Sequence, residues 1–527
     1  MSIEIELSRQ YVVGEVLARQ ARIIPDKEVL VFKDKRLTCR QLNERVNRLS
    51  HGLLSLGIGR GDKVAFIFMN CLEIVEIYLA LAKIGAVAAP QNFRLTRREY
   101  EYQIDNADAR ALIYGEMFND AVSAMRPQLP KVEHYICVSA GGVEGAIDYE
   151  MLLREGSPTE PLIRVEDDDP YVIMFTSGTT GRPKGAVITH KNMLTLFLYA
   201  AINIAGAAGA IHESNQSSQL TVFPLFHMAA TGGVIYGIFS GARTVILDTP
   251  TPENIMETIQ NEKINSINLV PSLWTWIVNH PRLKDYDLSS LTSGGTTSAP
   301  ISRETKKRIF ELFPNLHLGE SFGMTETTGT GLNCTHEDFL RTQGSVGKPR
   351  FLTEVRVVDP DDNDVPRGQT GEIIYRGPGV MKEYYKNPEA TAEAFRGGWL
   401  HSGDLVRQDE EGYFYVVDRL KDMIISGGEN IYPAEIENVL LSHPRIFEAA
   451  VFGVPDPDWG QIVKACIVLK PKQTLTEEEV ITFCKENLAS YKKPRLVKIV
   501  EELPHNATGK VLKTVLREMH RQEIQAS

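Results

Sequence analysis

Between two apolar, β-prone segments, Val172-Ile-Met-Phe175 and Ala186-Val-Ile-Thr189, the chain runs Thr176-Ser-Gly-Thr-Thr-Gly-Arg-Pro-Lys-Gly185. These residue types suit a polyphosphate. Gly178, Gly181 and Gly185 let the backbone turn sharply and bring N–H groups close to an anion, while Thr176, Ser177, Thr179 and Thr180 add hydroxyl donors and Lys184 adds a positive charge. The run does not fit GxxxxGK[ST], because Gly185 follows Lys184 where that motif needs a Mg²⁺-binding hydroxyl. A P-loop NTPase is therefore not expected. Taken alone, such a loop is also an ordinary surface turn, and other segments must decide.

The flanks of the loop predict short buried strands with the loop as a turn inside a sheet. Upstream, Leu42, Val46, Leu49 and Leu53 recur at helical spacing, glycines 57, 59 and 61 end the helix, and Val64–Phe68 follows as a buried strand. A second amphipathic helix to Lys83 leads to another strand at Gly85–Ala89, and the rhythm returns around Leu220–Pro224, Arg243–Leu247 and Ser266–Leu269. Such alternation predicts a largely parallel sheet covered by helices on both faces. After about residue 350 the pattern changes to short alternating strands, Glu354–Val358, Gly371–Tyr375 and Tyr413–Val417. Beyond Lys421 it becomes α+β, with strands near Ala449–Phe452 and Val463–Leu469 and a helix opened by the capping box Thr476-x-x-Glu479. The expected architecture is α/β: a large N-terminal domain (1–420) of mixed, mainly parallel sheets covered by helices, with a small β-rich subdomain at about 350–420, and a small α+β C-terminal domain (421–527).

Composition narrows the function. The 527 residues exceed one ordinary core. A hydrophobic share of 43% and a charged share of 24% describe an ordinary globular protein. The net charge of −11 offers no broad basic field for nucleic acid or anionic lipid, so an anionic substrate must be held by local donors. Cysteines 39, 71, 137, 334, 466 and 484 form no C-x-x-C pair, which disfavours a zinc site or a disulfide frame. No secretory leader or peroxisomal address is visible. The most membrane-like stretch, Leu196–Ile211, contains Asn203 and falls short of the ~20 residues a span needs. A cytoplasmic protein without an integral membrane segment is expected.

Further clusters share the loop's character. In order, they are Phe223-Pro-Leu-Phe-His227, Ser293-Gly-Gly-Thr296, Ser321-Phe-Gly-Met-Thr-Glu326, Gly371-Glu372, Trp399-Leu-His-Ser-Gly-Asp404, Asp418-Arg-Leu-Lys-Asp422, Ser426-Gly-Gly-Glu-Asn430 and Pro504-His-Asn-Ala-Thr-Gly-Lys510. Together with the loop they resemble the adenylate-forming superfamily of acyl- and aryl-CoA synthetases, luciferases and peptide-synthetase adenylation domains. The resemblance runs from about residue 20 to 515. It implies an AMP-forming acyl-CoA synthetase: a carboxylic acid and ATP give an acyl-adenylate and pyrophosphate, then the thiol of coenzyme A displaces AMP. A carboxylate is a poor electrophile, so it needs this activation, and the activation needs charge neutralised at the α-phosphate.

By resemblance, the loop residues Thr176, Ser177, Gly178, Thr179, Thr180, Gly181 and Lys184 hold the ATP phosphates. Glu326 is the Mg²⁺ ligand, with Thr325 beside it as a hydroxyl donor to phosphate. Asp404 accepts the ribose hydroxyls and Arg419 contacts ribose and phosphate. Gly294, Gly295, Thr296 and Thr297 with Glu320, Ser321 and Phe322 form the two segments around adenine, the glycines allowing close backbone approach and Phe322 stacking where many members carry tyrosine. Lys510 bridges the carboxylate and the α-phosphate in the first half-reaction. The C-terminal domain then rotates about Lys421, placing Ser426, Gly427, Gly428 and Glu429 along a pantetheine tunnel. His227 is the aromatic gate beside the substrate carboxylate.

Adenylation domains that select amino acids commonly carry an aspartate directly after the phenylalanine where this chain has His227, so a non-amino acid is favoured. Pocket walls are expected from Phe226, His227, Met228, Gly232, Trp274, Gly294 and Met324, an apolar set that suits an acyl tail or a ring. Glycine and alanine around 229–233 suggest depth and a medium or long fatty chain. Alternatives are a benzoate- or cinnamate-type aryl acid, transfer to a carrier-protein thiol or reaction with oxygen instead of CoA, and a silent nucleotide-binding regulator. The number of subunits is open, a homodimer included.

Overall fold

The computed structural model describes residues 3–139, 141–176, 182–208, 217–297, 301–342, 344–426, 429–505 and 511–526. By packing, the chain divides into one unit of residues up to Glu354 with Tyr375–Leu400, and another of Val355–Ile374 with residues from His401 onward. The division follows hydrogen bonds. Asp418 Oδ2 accepts the N–H of Ala434 at 2.9 Å in the first turn of helix Pro433–Ser442, and Asp422 pairs with Arg517 at 2.9 Å. Strand Phe414–Arg419 is thereby tied to the C-terminal segment, and by packing most of the β-rich part groups with the second unit.

Two sheets build the first unit among the described residues. One is ordered Glu383–Tyr384, Lys184–Thr189, Pro170–Thr176, Val87–Gln91, Lys63–Ile67, Ala109–Gly115, His134–Val138, Ile147–Asp148. It is parallel except at its first two pairings, which are antiparallel. The other is ordered Lys348–Pro349, Leu332–Cys334, His317–Phe322, Ser293–Thr297, Ser266–Leu269, Ser218–Thr221, Arg243–Ile246, Glu28–Phe32, Lys35–Thr38, with antiparallel pairs only at its two ends. The mixed, mainly parallel character expected from the β/α rhythm is thus present. The strands end within a few residues of their expected limits.

Buried runs decide how the helices lie. Helix Leu72–Ile84 is buried all round, and its three charged residues survive there because each has a partner. Glu76 takes Arg45 and the Tyr149 hydroxyl, Lys83 takes Asn47 at 2.7 Å and Glu160, and Glu73 takes Lys35 at 3.1 Å. Behind the second sheet, Trp274, Ile277, Ile309, Leu316 and Leu318 form one apolar core.

The second unit holds most of strands Thr370–Arg376 and Leu400–Gln408, strand Phe414–Arg419, the hairpin Ile424–Ser426 with Glu429–Ile431, and the sheet of Ile446–Asp456, Gly460–Leu469 and Leu496–Ile499. Its α+β character is as expected, and the Thr476–Glu479 capping box closes reciprocally. No helix among the described residues is long and apolar enough to cross a membrane.

Candidate active site

The loop's flanks are an antiparallel pair in which Thr176 faces Lys184. That register brings both side chains to one end of the sheet, and Thr176 Oγ1 donates to Glu326 Oε1 at 3.1 Å. Glu326 sits in the short helical turn Thr325–Thr327 after strand His317–Phe322 and is 5% exposed. A second donor reaches the same oxygen, the Tyr384 hydroxyl at 2.9 Å, while Met381 N–H bonds Glu326 O at 2.7 Å. Lys184 Nζ lies 5.1 Å from the centre of the Tyr384 ring. Burial and the neighbouring carboxylate push the Tyr384 phenol far up, so it remains a donor. Tyr384 was missed in the sequence, where it stood only as one of two adjacent tyrosines among charged residues.

Several expected site residues lie outside the described residues: Ser177, Gly178, Thr179, Thr180 and Gly181 of the loop, Gly427 and Gly428 of the expected tunnel, and Lys510. The phosphate-holding part of the loop, Gly178 and Gly181 included, therefore remains a reading of the sequence, and only its flanking residues Thr176 and Lys184 are placed. Ser426 and Glu429 face each other as the inner pair of their hairpin. Lys421 is exposed in the turn after strand Phe414–Arg419.

On strand Ser293–Thr297 the glycines answer to packing inside the protein. A Cβ on Gly295 would fall 1.9 Å from Asn268 Oδ1, and one on Gly294 would press on Leu318, Leu316 and Trp274 at 3.2–3.3 Å. Their smallness is required by neighbouring side chains, a different reason from the approach of a nucleotide. Trp274 is 1% exposed and donates from Nε1 to Gly295 O at 3.1 Å, so the side chain expected in a pocket wall belongs to the core behind the strand. Thr296 Oγ1 is buried with no hydrogen-bond partner. Glu320 is likewise turned inward and 7% exposed; burial lifts its carboxyl to about 7 against the opposing pull of Lys306. Ser321 and Phe322, half-buried, follow on the strand.

His227 caps helix Met228–Ser240, with its ring 4.5 Å from Phe226 centre to centre and Phe226 in turn 5.6 Å from Phe93. The residue is partly exposed, yet its Nε2 is sealed and has no partner. Burial lowers the imidazole to about 4, so it is neutral at pH 7. Met228 is buried in the first turn, and a Cβ on Gly232 would meet Leu196 Cδ2 at 2.7 Å. Leu196 thus packs directly on this glycine, while a Cβ on Gly233 would meet nothing within 4 Å.

In the second unit, Asp404 and Arg419 are direct partners across antiparallel strands, Oδ1 to Nε 2.7 Å. Ser402 and Gly403 lie inside strand Leu400–Gln408 instead of forming the expected turn, although Gly403 has φ +69, where an L side chain is strained. Glu372 holds this stretch of the strand by accepting Gly403 N–H at 2.8 Å and pairing through Oε2 with His401 Nδ1 at 2.8 Å. Ser402 Oγ accepts Asp404 N–H at 3.0 Å. The arrangement fixes a carboxylate beside a guanidinium.

The family model of the AMP-binding enzymes matches residues 17–385, and that of the AMP-binding enzyme C-terminal domain matches residues 435–510. The chain belongs to the AMP-binding enzyme family. This member is 36% identical over 505 residues to a feruloyl-CoA synthase of Amycolatopsis sp, covering 96% of this chain and 98% of the relative. It is 34% identical over 513 residues to the long-chain-fatty-acid–CoA ligase FadD13 of Mycobacterium tuberculosis, with 96% and 98% covered. Its fold is similar to that of the anthranilate CoA ligase AuaEII in complex with anthranoyl-AMP, at TM-score 0.89, 28% identity and full coverage of both chains. Family membership over nearly the whole length makes the protein an AMP-forming acid–CoA ligase of acyl or aryl type.

Proposed function

We propose that this AMP-binding enzyme converts a non-amino carboxylic acid to its acyl-adenylate and then to its CoA thioester. The observation that carries the reading is the convergence of Thr176 and Tyr384 on Glu326 beside Lys184, a fixed carboxylate next to the two strand ends that flank the Gly/Ser/Thr segment in sequence. In the first step a carboxylate oxygen of the acid bonds to the α-phosphorus and pyrophosphate leaves. Lys184 and the hydroxyls of the loop receive the phosphates, and Lys510 meets the charge that grows between carboxylate and phosphate. Asp404 takes the ribose hydroxyls while Arg419 keeps it oriented.

The donor set fits Mg²⁺. A lone buried carboxylate held by two hydroxyls suits a hard cation that takes its other ligands from phosphate and water, and no cluster of three ligating side chains stands among the described residues. Bound there with ATP, Mg²⁺ would neutralise phosphate charge.

In the second step the CoA sulfur, as thiolate, bonds to the acyl carbon and the carbon–oxygen bond to AMP breaks. Rotation about Lys421 would withdraw Lys510 and bring Ser426, Gly427, Gly428 and Glu429 to the thiol arm. The neutral His227 leaves no charge where the acid's carboxylate enters. As to the acid, Leu196 packs on Gly232, so that glycine by itself gives no reason to prefer a long aliphatic chain over a ring. Pyrophosphate release with a panel of fatty and aromatic acids tests the first step, and CoA dependence of AMP formation tests the second. Absence of pyrophosphate with every acid would overturn the reading.

A further inference from the structure

Arg350 is the one buried guanidinium near this site, among the described residues, that the reaction above does not use. It is 8% exposed and follows strand Lys348–Pro349 at the edge of the second sheet. Its backbone N–H bonds Gly331 O at 3.1 Å, which anchors it to the segment that follows Glu326. Nη2 donates to Ser321 Oγ at 2.6 Å and approaches Asn333 Oδ1 at 3.5 Å, and the guanidinium lies 4.2 Å from the centre of the Tyr199 ring. Nε is buried with no partner. Its neighbours are a hydroxyl, an amide and a phenol ring, and no carboxylate among the described residues pairs with it. Arginine does not give up its proton, so this side chain is a buried cation without a counter-charge among the described residues, a costly state unless an anion arrives.

Its position connects it to the acid's path. Strand His317–Phe322 alternates, Glu320 lying on the face near Lys306 and Ser321 on the other, toward Tyr199 of helix His190–Ala208. Three residues before Tyr199 on that helix is Leu196, which packs on Gly232 in the helix that His227 caps. Leu196 and Tyr199 share a helix face, so Arg350 stands about 5 Å further along the helix than the contact with Gly232.

Resting on the ligase reading above, we propose that Arg350 is a specificity residue that receives a second carboxylate at the far end of the acid substrate, making the preferred substrates dicarboxylic acids. A carboxylate can accept from Nε–H and a neighbouring N–H in the side-on fork that arginine presents. Ser321 and Tyr199 hold the fork in place, and the second carboxylate supplies the missing charge. A plain fatty tail would leave the cation unpaired.

The test compares matched acids by kcat/KM for pyrophosphate release: hexanoate with adipate, octanoate with suberate, and benzoate with the three benzenedicarboxylates. For the wild type, at least one dicarboxylate should exceed its monocarboxylate partner by more than about tenfold. Arg350→Met should erase or invert that ratio while KM for ATP stays the same, and Arg350→Lys, which keeps charge without the fork, should retain part of it. A wild type that prefers the monocarboxylate in every pair overturns the proposal while leaving the ligase reading intact, and that arm needs no variant to fold. Equal loss on both members of a pair in Arg350→Met overturns it in favour of a purely structural role. No pyrophosphate with any acid overturns both.

Discussion

Asp404 and Arg419 lie opposite each other on antiparallel strands, joined by a 2.7 Å contact between Oδ1 and Nε. One partner is buried and the other half-exposed, so the pair presents a carboxylate whose orientation is set before any diol arrives. Asp404→Ala should raise KM for ATP by about ten- to a hundredfold, the worth of hydrogen bonds to a charged group. Initial rates at saturating acid and varied ATP check this, and an unchanged KM for ATP would remove Asp404 from the ribose site.

Tyr384 and Thr176 both donate to Glu326 Oε1. Tyr384→Phe removes one donor while leaving the ring beside Lys184, so the carboxylate loses orientation without a cavity opening. The Mg²⁺ concentration for half-maximal pyrophosphate exchange should rise about tenfold. Thermal unfolding should be nearly unchanged. If the Mg²⁺ dependence stays put, Glu326 does not act through a metal.

The motifs assigned by resemblance to phosphate and ribose, the Gly/Ser/Thr loop, Ser402-Gly403-Asp404 and Thr325-Glu326, stand out in a sequence because such chemistry asks for particular residue types, and of them the structure places Glu326 against Thr176 and Asp404 against Arg419. Roles set by packing do not stand out. Gly294 and Gly295 read as room for a nucleotide, yet a Cβ on Gly294 would press on Leu318 at 3.2 Å and one on Gly295 would clash with Asn268 at 1.9 Å. Trp274 read as a pocket wall and lies in the core. Tyr384 and Arg350 reach their partners from distant segments of the same unit, Glu326 lying 58 residues before Tyr384 and Ser321 lying 29 before Arg350. A single sequence carries no periodicity that reports such contacts. The strand rhythm was clear, whereas a contact such as Asp418 accepting the Ala434 N–H in helix Pro433–Ser442 leaves no local signal in the sequence.

Two buried groups give opposite pH slopes to stability. Glu320 has its carboxyl raised from 4.5 to about 7, so its contribution is full below pH 4.5 and is lost as pH rises through 7. His190, wholly buried against Tyr171 with Nδ1 accepting Val13 N–H at 3.2 Å, is lowered from 6.5 to about 4. Its contribution is full above pH 6.5 and is lost as pH falls toward 4. Each is worth on the order of 3 kcal/mol across its window. Between pH 4.5 and 6.5 the two offset. Glu320→Gln should therefore gain stability at pH 8 and show a steeper fall on acidification than the wild type. Denaturant unfolding at pH 4.5, 5.5, 7 and 8 reads both effects, and parallel curves for the two proteins would refute the assignment of Glu320.

Lys421 offers the sharpest separation of the two half-reactions. Leu420 N–H and Asp422 N–H bond Gly403 O and Arg419 O at 2.8 and 2.9 Å, so the turn on either side of Lys421 is already formed and the torsions at 421 are what a rotation would change. Lys421→Pro should restrict those torsions, leaving acid-dependent pyrophosphate exchange within about twofold of wild type while slowing thioester formation from preformed acyl-AMP by about tenfold or more. Lys510→Ala should do the reverse, crippling adenylate formation and sparing transfer from acyl-AMP. Assaying both variants in both half-reactions gives four rates. If each variant loses the two activities in equal measure, the residues do not serve different stages and the chemistry proceeds in one arrangement of the chain.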